Sequence, residues 1–399
     1  MKILQVCKKF PYPPKDGEMI AIFNFSQSFV SLGHQLTVAS LNTNKHYYNT
    51  HLIPAELQAQ IQFITCDINT DISISQATKS ILLNKAYNIQ RFYSPSFESQ
   101  LIQLLQHQQF DLILLEGLPV LLYLEAIRKN TNTHITYRAH NVEYEIWERL
   151  AINTSHPLKK LYYKILAKQV KAFEKLNLTK VDSVISISKR DESILQALSN
   201  FTTSYVAPAC IDEKTIKIDT TKTSYKSIFF LGALDWIPNL EGIQWFIDKI
   251  FPSVLSSCPE TNLYIGGRNI PTSFYENKHQ NIHILGEIKE VNELMNAHQI
   301  MIVPLLTGSG MRIKIIEAMF YGKCIVSTTI GAEGIDDENS IYRCDNESIF
   351  ATEIIQLLNN SSLQMQKGEK AKRIAQNKYS ALQVSSQLLS YFQKIIPAN

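Results

Sequence analysis

Short apolar runs separated by polar, glycine- or proline-bearing turns recur along the chain, and a segment with helical spacing follows most of them. Residues 3–7 read as a first strand. A proline-rich loop, 10–17, leads into a helix that runs to about Ser31 and closes at Gly33, and residues 35–39 form the next strand. Further strands are predicted at 61–65, 112–115, 135–138 and 183–186, with helices at 96–107, 119–129 and 158–176. Strands that alternate with helices in this way build a mostly parallel sheet covered on both faces.

The pattern returns in the second half, with strands predicted at 227–231, 262–265, 282–284, 300–303 and 324–327. Between the halves, residues 205–212 and a Lys/Thr-rich stretch to Ser227 lack apolar periodicity, which marks a boundary near residue 210. At 399 residues the chain suits two cores better than one. The predicted fold class is α/β, with two Rossmann-like doubly wound parallel-sheet domains, 1-210 and 211-380, and a C-terminal helix, 381-399, that could pack back on the first domain.

Apolar residues make up 45% of the chain and the mean hydropathy is -0.09, values of a soluble globular protein. The most apolar stretch, 112–124, is broken by Glu116, Gly117 and Pro119 and falls short of the roughly 20 residues a membrane-spanning helix needs. Residues 1–7 lack the long apolar core of a secretion signal. A net charge of +3 suits anionic substrates or a membrane surface but is too weak for a nucleic-acid footprint, and no DNA-binding motif is present. Six scattered cysteines without metal-ligand spacing read as reduced thiols, so a cytoplasmic location is expected.

Ligands of doubly wound sheets bind beyond the carboxyl ends of the strands, so the loops after the strands carry the candidate chemistry, and two such domains facing each other would form a cleft. The richest loop follows Pro304, where Thr307-Gly308-Ser309-Gly310-Met311-Arg312-Ile313-Lys314 leads into a helix bearing Glu317 and stopping at Gly322. Free backbone N–H groups, the positive end of a helix dipole and two cations are the usual surroundings of a bound phosphate, which points to a diphosphate ligand. An ordinary strand-to-helix turn with a Lys314–Glu317 surface pair fits the residues equally well.

Gly17 is a single glycine before its helix, not the three of a dinucleotide fingerprint, which disfavours hydride transfer. It reads either as close approach to a ligand phosphate or as a turn glycine after Pro13-Pro14. His140, beside Arg138, could hydrogen-bond a sugar hydroxyl or a phosphate oxygen, or be satisfied by local backbone. Asp111, Glu116 and Glu143 are candidate cleft acids that their spacing does not rank, and no nucleophile is assignable.

Residues 308–335, the 10–17 loop, the 138–144 segment, 232–239, Val303-Pro304 and the 207–212 connection together resemble glycosyltransferase family 4, a retaining group with the GT-B fold. The similarity spans essentially the whole chain and is most specific over 308–335. It implies that a sugar moves, with retention, from a nucleotide-diphosphate donor on the C-terminal domain to an acceptor on the N-terminal domain, with neither metal nor cofactor. It also implies that Glu317 binds the nucleotide ribose, that His140 lies near the transferred sugar and Gly17 near the diphosphate, and that Gly232, Gly308, Ser309, Gly310 and Met311 line the donor. Ser309 stands where many relatives carry a first glutamate, and the 232–239 loop lacks the family's usual Arg and Lys. Arg312 and Lys314 are expected to replace those charges and, with His140, to form the catalytic set.

The commonest setting of such relatives is cell-envelope polysaccharide synthesis, which implies a glycan or lipid-linked acceptor. A GT-B nucleotide-sugar epimerase and a catalytically silent sugar-nucleotide-binding module are the alternatives. Lys159, Lys160, Lys164, Lys168, Lys171 and Lys175 recur through the 158–176 helix. That helix could rest peripherally on an anionic membrane at the inner face of the cell, or bury its apolar stripe with its lysines in water.

Overall fold

The computed structural model describes residues 1–396 apart from 74, 77, 78, 81, 82, 202, 220, 222, 277, 278 and 309. The chain divides into two compact units, Met1–Ala209 together with Ala381–Asn399, and Cys210–Ser380.

The first unit contains β1 (Lys2–Cys7), β2 (Gln35–Thr43), β3 (Ile61–Ile68), β4 (Leu112–Glu116), β5 (His134–Ala139), β6 (Ser183–Ser186) and β7 (Ser204–Val206). All pairings are parallel, in the order β3-β2-β1-β4-β5-β6-β7. Ile3, Leu4 and Val6 of β1 and Ile113, Leu114 and Leu115 of β4 are fully buried, as unbroken apolar strands covered on both faces should be. The helix Gly17–Ser31 starts where Asp16 accepts the Met19 N–H at 3.0 Å and stops before Gly33, whose φ of 84° suits a glycine terminator. The C-terminal helix Ala381–Ile395 packs against Gly17–Ser31, burying Val384, Leu388 and Phe392.

The second unit contains β8 (Ser224–Leu231), β9 (Asn262–Gly266), β10 (Ile282–Gly286), β11 (His298–Val303), β12 (Cys324–Ser327) and β13 (Ile341–Arg343). These too are parallel, in the order β10-β9-β8-β11-β12-β13. Its core gathers Ile228, Phe230, Ile243, Phe246, Ile302, Val326 and Phe350. Each sheet reverses its strand order beside its first strand, at β1/β4 and at β8/β11. The crevices beyond the carboxyl ends of those pairs are where doubly wound folds hold ligands.

Several elements differ from the sequence reading. Strands β7 and β13 have three residues each, too few to produce a detectable period. The predicted helix 119–129 is a 3-10 segment, Leu118–Tyr123, followed by the α-helix Leu124–Asn130. Arg138 is a strand residue, and Glu143 is not in a loop but opens the helix Glu143–Asn153. All six cysteines are free thiols. Among the described residues no helix is long and apolar enough to cross a membrane.

Candidate functional site

At the switch point of the first sheet, β1 runs out into Lys8 and Lys9, β4 into Gly117 and β5 into His140. The strand register sets Cys7 beside Glu116 and Glu116 beside Arg138. Glu116 and Arg138 are fully buried. Glu116 Oε1 accepts from Gln5 Nε2 at 2.7 Å and from Arg138 Nη1 at 3.3 Å, and Ser26 Oγ donates to Gln5 Oε1 at 2.6 Å. The Arg138 guanidinium lies 3.9 Å over the Phe25 ring. Burial opposes ionisation of Glu116, yet Arg138 and the hydrogen bond from His140 hold its carboxyl below the ordinary range. His140 Nε2 stands 2.6 Å from Glu116 Oε2. Because an ionised carboxylate only accepts, Nε2 carries the hydrogen of that bond and Nδ1 is the nitrogen left for a ligand.

Lys8 and Lys9 each reach Glu18 Oε2 at 3.2 Å, and Lys9 also reaches Asp16 at 2.7 Å. Burial alone would raise the Glu18 carboxyl; the two ammonium groups and His140 instead hold it well below the ordinary range. Its Oε1 is buried without a hydrogen-bond partner among the described residues. A Cβ on Gly117 would stand 3.3 Å from that oxygen and 3.8 Å from His140 Cδ2. With φ at 86°, the bare glycine lets Glu18, His140 and Lys8 converge at the end of β4.

Behind this cluster lies a second carboxyl pair. Burial raises Glu143, with Glu18 adding repulsion that Lys8 and His140 partly offset. The fully buried Glu174 is pushed up to about 8 by burial and by Glu143. Its oxygens face the N–H groups of Glu143 and Tyr144 without a well-formed hydrogen bond.

In the second unit the switch point brings together the loops after β8 and β11. Lys314, in the first turn of the helix Ile313–Phe320, donates from Nζ to the Leu231 carbonyl at 2.7 Å and to Asn239 Oδ1 at 3.4 Å, with the Phe230 ring 4.9 Å away. Arg312 precedes that helix; its Nη1 donates to the Gly310 carbonyl at 2.7 Å and its guanidinium lies 5.2 Å from the centre of the Trp236 ring. Burial, and then repulsion by Arg312, pushes Lys314 down to about 7. Burial pushes Glu317, one turn on, up to about 7, and its side chain has no hydrogen bond or ion pair among the described residues.

Glycines shape this loop. At Gly308, with φ at 121°, a Cβ would stand 2.6 Å from Arg312 Nη2 and 3.2 Å from Trp236. At Gly232 a Cβ would stand 2.8 Å from Asn239 Nδ2, whose group donates to the Ala233 carbonyl. Larger residues would displace the side chains that gather at the end of β8.

The structure therefore assembles Gly232, Gly308, Gly310, Arg312 and Lys314 in one place, with Glu317 on the following turn and Met311 partly exposed beside them. Ser309 lies outside the described residues. In the first unit His140 meets Gly117, Glu18 and Lys8. Gly17 is an exposed first residue of its helix. Asp111 is removed from the cleft acids: it precedes β4 and accepts the Lys2 N–H at 2.6 Å, at the opposite edge of the sheet. Lys314 and Glu317 do not form the surface pair allowed for in the sequence, because Lys314 turns to the end of β8. Lys8, Lys9 and Glu18 were missed, although Lys8 and Lys9 directly follow a predicted strand. Among the described residues no group of three or more His, Cys, Asp or Glu could hold a metal ion.

Residues 225–360 match the family model described as glycosyl transferases group 1. Over the full length of both chains the protein is similar to a 44.6 kDa protein in the cps region of Klebsiella pneumoniae, at 24% identity across 415 aligned residues. It is similar in fold to sucrose-phosphate synthase from Thermosynechococcus elongatus, with a TM-score of 0.72, 13% identity and 99% of each chain covered. It is likewise similar to Anabaena Alr3699/HepE in complex with UDP, with a TM-score of 0.69, 13% identity and 99% and 100% of the two chains covered. Two Rossmann-like parallel-sheet units give the chain the GT-B fold, and together with the family match they support a glycosyltransferase of the group 1 type.

Proposed function

We propose that this protein is a family 4 glycosyltransferase that moves a hexose, with retention, from a nucleotide-diphosphate sugar to a glycan or lipid-linked acceptor of cell-envelope polysaccharide synthesis. In this proposal the anomeric carbon–oxygen bond to the diphosphate breaks, a bond to an acceptor hydroxyl forms, and the negative charge left on the diphosphate is stabilised by Arg312, Lys314 and the start of the helix Ile313–Phe320. No metal or cofactor takes part. Glu317 accepts hydrogen bonds from the ribose, and His140 presents Nδ1 toward the sugar and acceptor. Gly17, Gly232, Gly308, Ser309, Gly310 and Met311 remain the proposed lining of the donor.

The observation that carries the proposal is the gathering of Arg312, Lys314 and Asn239 at the β8/β11 switch point, on glycines that leave room for nothing larger. Support for a UDP-linked donor comes from Alr3699/HepE, which was crystallised with UDP and with UDP-glucose. The place of the Klebsiella relative in a cps region supports the proposed setting. The test is binding and slow hydrolysis across UDP-, GDP- and ADP-sugars in EDTA, with the anomeric configuration of any product read by NMR. Loss of binding and turnover is expected in the Arg312→Ala, Lys314→Ala double variant. Normal kinetics there, or a strict need for metal, would overturn the proposal.

Peripheral membrane contact at the cytoplasmic face belongs to the same proposal. The helix Pro157–Leu178 buries Leu166, Ala167, Val170 and Leu178, but its first turns expose Leu158 and Leu161, at 73% and 58%, beside Lys159 and Lys164. Exposed aliphatics among lysines suit an anionic bilayer surface. Flotation with anionic but not neutral liposomes is expected, and loss of flotation in Leu158→Ser, Leu161→Ser checks the surface.

A further inference from the structure

A cavity of about 440 Å³ opens at the carboxyl ends of β2 and β3, on the same edge of the first sheet as His140, with β1 and β4 between β2 and the strand that leads into that histidine. Its volume lies in the range of about 300–1,000 Å³ typical of small-molecule sites. The wall is built, not accidental. Asn42, at the end of β2, donates from Nδ2 to the Tyr48 carbonyl at 3.0 Å and to Asp67 Oδ1 at 2.8 Å, and its Oδ1 accepts the Tyr48 N–H at 3.1 Å. One amide thus pins the loop after β2 and aims the β3 carboxylate. Tyr48 in turn packs against Phe10 and Tyr12, with ring centres 6.0 and 5.5 Å apart, and both lie on the loop that follows Lys8 and Lys9.

The chemistry of the lining selects a class of ligand. Amides, hydroxyls, His51, the Cys66 thiol and the carboxylate of Asp67 surround the space, and among the described residues neither lysine nor arginine lines it. A phosphate would find neither a lysine nor an arginine among the described residues there and would meet the Asp67 carboxylate. Gln100 also lines the cavity, and its Oε1 has no hydrogen-bond partner among the described residues, so its amide is free to turn toward a ligand hydroxyl. Tyr47, 56% exposed, offers a ring face on which an apolar sugar face can pack. A neutral ligand rich in hydroxyls satisfies all of these groups at once.

We propose that this cavity is a distal subsite for a neutral oligosaccharide acceptor, holding the second or third sugar behind the one whose hydroxyl reacts. The proposal rests on the glycosyltransferase assignment above and adds an acceptor class and a minimum length. The β2/β3 gap lies two strand spacings, roughly 10 Å, from the β1/β4 gap, which a disaccharide can span. Monosaccharides would reach His140 without filling the cavity.

The experiment uses the full chain with a panel of neutral glucose, galactose, mannose and N-acetylglucosamine oligomers of one to four units. Binding is read by saturation-transfer NMR and calorimetry, and UDP-sugar binding is measured on the same samples. At least one neutral oligomer of two or more units should bind, more tightly than its monomer. Asp67→Asn and Gln100→Ala should each weaken it by about three- to tenfold, the loss of one hydrogen bond, with UDP-sugar affinity and thermal midpoint unchanged. If UDP-sugars bind but no neutral oligomer does, or if oligomers bind equally to wild type and both variants, the subsite is overturned while the donor assignment stands. Failure of UDP-, GDP- and ADP-sugars alike would instead remove the glycosyltransferase assignment. Preference for phosphorylated or uronate-bearing oligomers over neutral ones would also refute the subsite.

Discussion

Glu317→Gln should convert a donor affinity that is equal at pH 6 and pH 8, with a shallow maximum of about threefold near pH 7, into one that weakens about tenfold over that range. Two groups beside the donor loop titrate there with opposite consequences. Lys314 is pushed down to about 7, and a diphosphate binds its charged form, so affinity should fall as rising pH removes the proton. Glu317 is pushed up to about 7, and ribose hydroxyls donate to its ionised form, so affinity should rise over the same interval. With both groups near 7, the protonated fraction of Lys314 drops from roughly nine-tenths at pH 6 to roughly one-tenth at pH 8, and the ionised fraction of Glu317 climbs by the same factor. The wild type therefore binds equally at pH 6 and pH 8, with a maximum of about threefold near pH 7. Glu317→Gln leaves only the Lys314 limb, whereas Lys314→Met leaves only the Glu317 limb and should bind about tenfold more tightly at pH 8 than at pH 6. Calorimetry with a UDP-sugar is the suitable assay, because its diphosphate is a diester and does not titrate in this interval. Repeating it in buffers of different ionisation enthalpy counts the protons taken up. Identical pH profiles in the wild type and both variants would show that neither group touches the donor.

Three further outcomes follow from the buried charges and the glycine loop. Glu116→Gln leaves Arg138 buried without its counter-charge and should cost about 3 kcal/mol in urea unfolding; adding Arg138→Met should restore most of the stability but not the turnover, since His140 still lacks the carboxylate that orients it. Gly308→Ala forces a side chain into the left-handed region and against Arg312, so it should cost about 1–3 kcal/mol in thermal melts and weaken donor binding in calorimetry, whereas an unchanged donor affinity would separate Arg312 from the diphosphate. Glu174 keeps its proton in the folded protein up to about 8 but releases it near 4.5 when unfolded, so its stabilising contribution is present below 4.5 and is lost as pH rises to 8. Glu174→Gln should therefore match the wild type at pH 4.5 and exceed it by about 2–4 kcal/mol at pH 8 in denaturant titrations.

Much of the fold was legible in the sequence because local rules dominate there. Unbroken apolar runs gave the long strands, and the glycines at 33 and 322 marked helix ends through a backbone freedom that any context would require. The glycine-flanked cations at 312 and 314 stood out for the same reason: helix starts after glycine loops are anion sites wherever they occur. Partner choice was not legible. That Lys314 reaches back to Leu231, and that Glu116 serves His140 and Arg138 rather than solvent, are consequences of strand order. Strand order joins residues separated by up to about a hundred positions, and no local pattern records it. The pKa shifts followed from the same source, because burial in the assembled sheet edge, not residue type, pushes Lys314 and Glu317 toward neutrality. The sequence by itself determined which elements form and which residues can carry charge; only the tertiary structure decided which of those charges meet, and how dry the place is in which they do.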